Sequence, residues 1–120
     1  MENQKMKNWK NIALTPKERA ALGKAVELLK ARFGIEQVIV FGSKARGESD
    51  DYSDLDLLLT GKEPLHWRKE KEVVEALFEI GQEYDVLFSP LFASLEELES
   101  GTFPEFPIYK NIMRDGASVL

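Results

Sequence analysis

The chain contains no cysteine, and His66 is its one histidine in 120 residues. Without a thiol there is no disulfide framework, no thiolate zinc site and no cysteine nucleophile, which fits a reducing compartment; the cytoplasm is the expected location. A lone histidine at a predicted helix start reads as a surface or packing residue. No apolar run is long enough to span a bilayer, and residues 1–11, polar and carrying Lys5, Lys7 and Lys10, have no apolar leader-like stretch. Positive charge is short too. Sixteen Lys and Arg against 21 Asp and Glu leave a net charge of −5. That balance argues against a nucleic-acid binder held by backbone electrostatics and suits a protein partner with a basic face. The length is that of about one domain, assigned to residues 1–120 with a core over about 16–90 and a helical tail over 91–120.

Thr15-Pro16-Lys17-Glu18 reads as N-cap, N1 proline and capping-box glutamate, so a helix is predicted over Pro16–Phe33, stopped by Gly34. The apolar, β-branched run 38–41 predicts a buried strand. A short helical turn and a loop should follow over 44–51, and a second strand over 55–59. Trp67, Val73, Val74, Leu77, Phe78 and Ile80 mark a helix ending near Gly81. Residues 84–88 are expected as a third strand closed by Ser89-Pro90, followed by a capped helix from Ser94 to Gly101 and a last helix over 108–114. A helix of crossover length makes strands two and three parallel, while the short link between strands one and two favours antiparallel pairing. The expected class is α/β (α+β), a small mixed sheet of three or slightly more strands covered by helices.

One constellation stands out. Gly42-Ser43 ends the first strand, and after ten intervening residues Asp54 and Asp56 open the second. Glycine lets the backbone approach a phosphate, and serine offers a hydroxyl and an N–H as donors. On a strand, Asp54 and Asp56 share a face with Cα atoms roughly 7 Å apart. Paired carboxylates among apolar neighbours are what a pair of Mg²⁺ ions requires, so metal-dependent nucleotidyl transfer is the expected chemistry. Asp85, at the start of the expected third strand, would reach the same sheet edge as third ligand or base. Arg46 could hold a triphosphate or pair with Asp50 or Asp51; Lys44 reads as a surface lysine. Gly42 and Gly47 have P-loop spacing, but Glu48-Ser49 follows where Lys-Ser/Thr is needed. An EF-hand lacks its third ligand and glycine.

Gly42-Ser43, Asp54-x-Asp56 and an apolar strand carrying Asp85 together resemble the DNA polymerase β-like nucleotidyltransferase superfamily. The Gly-Ser-x-x-Arg-Gly wording and the length are similar to its minimal nucleotidyltransferase (MNT) branch, antitoxins of HEPN toxins. The resemblance covers about residues 35–90, with a weaker match over 107–116. It implies that Asp54, Asp56 and Asp85 are catalytic and bind two Mg²⁺ ions. It further implies that Gly42, Ser43 and Arg46 bind ATP, and that AMP passes to a tyrosine of a helical HEPN-type partner. Two other readings stand beside that one. The chain could be a nucleotidyltransferase-fold module that neutralises its partner by occlusion, or a small-molecule enzyme completed by a second subunit. A glycosyltransferase ranks behind these because its nucleotide-sugar domain is about twice this length. A homo-oligomer stays open.

Overall fold

Helix α1 (Pro16–Phe33) begins where the capping signals place it: the Thr15 hydroxyl accepts from the Glu18 N–H, and the Glu18 carboxylate accepts from the Thr15 N–H. It ends at Gly34, which adopts the left-handed conformation (φ +65°) that glycine reaches without steric cost. The computed structural model describes residues 6–48 and 54–120. The other elements are strand β1 (Lys7–Asn8), β2 (Gln37–Phe41), α2 (Ser43–Arg46), β3 (Leu55–Gly61), α3 (Trp67–Tyr84), β4 (Phe88–Ser94), α4 (Leu95–Ser100), α5 (Pro107–Asp115) and β5 (Ala117–Ser118).

The strands form one mixed five-stranded sheet in the order β1-β5-β2-β3-β4. β2 and β3 are antiparallel, whereas β3 and β4, joined through α3, are parallel. β3 lies inside the sheet between β2 and β4, and Leu55, Leu57, Leu58 and Leu59 are each buried, as a strand covered on both faces requires. Val38, Val40, Leu55, Leu57 and Leu59 pack with Ala21, Leu22, Ala25 and Leu29 of α1 and Val73 and Leu77 of α3. The opposite face carries Ile39, Leu58 and Ala93 under Ile112 of α5. Among the described residues, no helix is long and apolar enough to cross a membrane.

Residues 84–88 do not form the expected strand. Helix α3 runs one turn past Gly81, and Asp85 is its left-handed cap (φ 60°, ψ 49°), with the Val86 N–H donating to the Gly81 carbonyl at 2.8 Å. Aspartate tolerates this conformation better than most residues, so it does here what Gly34 does after α1. The strand therefore starts at Phe88 and takes in Ser89-Pro90, expected as its stop. It extends into residues 91–94, so the segment 91–120 contains strand as well as helix.

Candidate active site

The end of β2, the start of β3 and the start of β4 meet at one end of the sheet. Asp56 is central: its register partners are Phe41 on β2 and Ser89 on β4. All three therefore share a face, and the Ser89 hydroxyl lies within hydrogen-bonding reach of the Asp56 carboxylate. Asp54 stands just before the strand and is half-buried, as is Asp56. Desolvation pushes the Asp56 pKa above the ordinary carboxylate range, and the Asp54 charge pushes it further. The Ser89 hydroxyl and the Arg46 guanidinium oppose that rise without cancelling it.

Gly42 makes the approach possible. It has φ +76°, and a Cβ there would lie 2.3 Å from Oδ2 of Asp56. A glycine turn is needed to press against the carboxylate while carrying the chain directly into α2. The Arg46 N–H donates to the Gly42 carbonyl at 3.1 Å, and Gly47 closes the turn with φ +74°. Ser43, the first residue of α2, is half-buried beside this turn. The Arg46 Nε donates to the Glu48 carboxylate at 3.0 Å, and its charge also favours the ionised forms of Asp56 and Asp115. Asp50 and Asp51, the partners considered for it above, lie outside the described residues.

Lys44 is not a surface residue. Its side chain is 4% exposed, and its ammonium meets the Glu18 carboxylate at 2.5 Å. Burial alone would raise the Glu18 pKa, but the hydrogen bonds from Lys44 and the Thr15 N–H bring it below the usual range. The residue that caps α1 thus anchors α2. On another side, Lys7 Nζ donates to the Ala45 carbonyl at 3.1 Å.

Asp85 takes a different place from the one expected. Its side chain is 92% exposed and pairs with Lys17 at the start of α1, 3.2 Å away. Among the described residues, no three Asp, Glu, His or Cys side chains form a group suited to a metal ion, so Asp54, Asp56 and Asp85 do not assemble as one. Ser89, Lys44 with Glu18, and Asp115 were not singled out as site residues from the sequence. Ser89 was hidden by the misplaced strand. Glu18 was legible only as a cap.

The nucleotidyltransferase domain family matches residues 22–114. A Methanocaldococcus jannaschii protein provisionally named a protein adenylyltransferase is 35% identical over 57 residues, 48% of this chain and 58% of that relative. The chain thus spans little more than half the length of that relative. A solved structure of a protein provisionally named a minimal nucleotidyltransferase superposes with a TM-score of 0.60 at 28% identity, over 87% of this chain and 96% of its own. A chain from the complex of a tri-AMPylated Shewanella oneidensis HEPN toxin with an MNT antitoxin shares the fold, with a TM-score of 0.53 and 14% identity over 86% of this chain and 71% of that one. With most of its length matched and the Gly42-Ser43 turn seated against Asp56, this chain belongs to the nucleotidyltransferase domain family.

Proposed function

We propose that this protein transfers AMP from ATP to a hydroxyl, a tyrosine side chain of a helical HEPN-type partner, and acts as that partner's antitoxin. The observation that carries the reading is the contact between the Gly42 turn and Asp56, which brings a phosphate-binding type of turn against paired carboxylates. The likeness to a protein provisionally named an adenylyltransferase, and to an MNT antitoxin in complex with a tri-AMPylated HEPN toxin, supports AMP as the transferred group and such a toxin as the acceptor protein. In the reaction the acceptor oxygen attacks the α-phosphorus, the bond to the β-phosphate bridging oxygen breaks, and pyrophosphate leaves. Ser43 would donate to a phosphate oxygen, and Arg46 would offset phosphate charge. Gly42 keeps a side chain out of the space they share.

The donor set bears on Mg²⁺. Asp54 and Asp56 offer hard oxygen ligands, both half-buried, and the Arg46 charge offsets only part of the cost of burying Asp56 beside Asp54. They fit one divalent ion, which when bound would offset charge on the phosphates. The occlusion reading is favoured by one observation, the absence of Asp85 from the cluster.

In-line placement of the acceptor is most of the task in phosphoryl transfer, and a partner would supply it. With labelled ATP, Mg²⁺ and this protein alone, little turnover is expected. Adding the helical partner should give AMP mass increments on a partner tyrosine, abolished by Asp54→Asn with association retained. If wild type and Asp54→Asn neutralise the partner equally and no adduct forms, occlusion replaces catalysis.

A further inference from the structure

Asp56 has an apolar neighbour on one side and a hydroxyl on the other. Phe41 is its register partner on β2, and Ser89 its partner on β4. Strand β4 reads Phe88-Ser89-Pro90-Leu91-Phe92-Ala93-Ser94, so neither of its faces carries an acid. The preceding acid is Asp85, exposed and paired with Lys17; the following one is Glu96, in α4 beyond the far end of the strand. Asp115 is held at two points by the Arg114 guanidinium, at 3.0 and 2.9 Å.

We infer that this chain by itself holds one divalent cation, on Asp54 and Asp56, and that the place beside β4 lacks a carboxylate because Ser89 stands there. The inference rests on the proposed nucleotidyl-transfer reading and narrows it. Two divalent ions about 3.5–4 Å apart bring four positive charges into a small volume. Two carboxylates cancel half of that charge, and a neutral hydroxyl cancels none while being a poorer ligand for a hard cation. A hydroxyl is also no base at neutral pH, so Ser89 cannot take the acceptor's proton as a carboxylate there would. The remaining negative charge and the base must come with the nucleotide or the acceptor protein. The chain supplies one half of a site that its partners complete.

The test counts Mn²⁺ ions bound per chain by electron paramagnetic resonance, with metal alone and no nucleotide. Wild type should bind one ion, and Ser89→Ala should still bind one, without a large loss of affinity. Ser89→Asp should add a second ion or hold the first about tenfold more tightly, because a ligand has been added. Two ions on wild type, a large loss of affinity in Ser89→Ala, or a folded Ser89→Asp that binds as wild type does would each overturn the inference. Should Ser89→Asp fail to fold, the wild-type count and Ser89→Ala still decide. No ion on wild type would overturn both this inference and the metal reading of Asp54 and Asp56, whereas two ions would overturn this inference alone.

Discussion

Asp56 is charged where the fold disfavours charge, between apolar strands and next to Asp54, and its pKa is raised accordingly. A carboxylate with a raised folded pKa contributes stability in its protonated form below the unfolded pKa, and that contribution is lost as pH rises through the folded value. At neutral pH its ionisation therefore weakens the metal-free protein. Asp56→Asn should raise the neutral Tm in chelator, and the gap should close as the pH falls below the ordinary Asp range. The same variant should lose the Tm increment that Mg²⁺ with ATP gives wild type. A lower neutral Tm in the variant would show that the carboxylate is held by favourable contacts. Gly42→Ala tests the other side of the contact. It forces a Cβ into φ +76° and against Oδ2 of Asp56, so a loss of about 1–2 kcal/mol is expected in urea unfolding, together with loss of the nucleotide response.

At the scale of elements, legibility depended on how conventional each boundary is. Helix α1 was fully readable because Thr15, Pro16, Glu18 and Gly34 are the usual residues for their positions. The convergence of β2 and β3 on the Gly42–Asp56 contact was readable from the turn and the apolar runs. Strand β4 was not, for two reasons. An aspartate closes α3 in place of glycine, so residues 84–86 look extended. Pro90 also looks like a strand stop, yet β4 is an edge strand. The Leu55 N–H donates to the Leu87 carbonyl at 2.8 Å, and this sets a ladder in which residues 87, 89 and 91 bond to β3 while residue 90 faces outward. The missing Pro90 N–H costs no ladder bond and discourages pairing with another strand. If Asp85 is a cap and nothing more, Asp85→Gly should stabilise the protein by about 0.5–1 kcal/mol in urea unfolding and leave its nucleotide response intact. Loss of that response would return Asp85 to the site. The Lys44–Glu18 pair is a further element-level tie that sequence spacing did not reveal, since its partners lie on α2 and α1. Lys44→Met leaves the Glu18 carboxylate buried without its cation and should cost about 3–5 kcal/mol. Adding Glu18→Gln, which keeps a capping side chain, should recover part of that loss.

Across the whole molecule, the ends of the described chain close the sheet behind the Gly42-Ser43 turn. β5 inserts between β1 and β2, with Ala117 opposite Val40 and Ser118 opposite Ile39. The Val119 N–H donates to the Val38 carbonyl at 2.8 Å, and the Val38 N–H to the Leu120 carbonyl at 3.3 Å. Gly116 allows the chain to pass from α5 into β5, since a Cβ there would lie 2.5 Å from the Ile112 carbonyl and 2.7 Å from the Ile39 side chain. From the other end, Lys7 reaches the Ala45 carbonyl of α2. The turn that carries Ser43 is thus tied from three directions: by β5 through β2, by Lys7, and by Lys44 to α1. Ending the chain after Asp115 should uncover the inner edge of β2 and release β1, because β5 is the strand between them. Hydrogen exchange should then speed up at Val38 and Val40, with the Tm falling well below that of the full chain. Exchange in α3 should follow mainly the global loss of stability, since α3 packs chiefly against α1 and β4. Equal exchange at Val38 and Val40 in the two chains would mean that β5 lies against a sheet already complete without it.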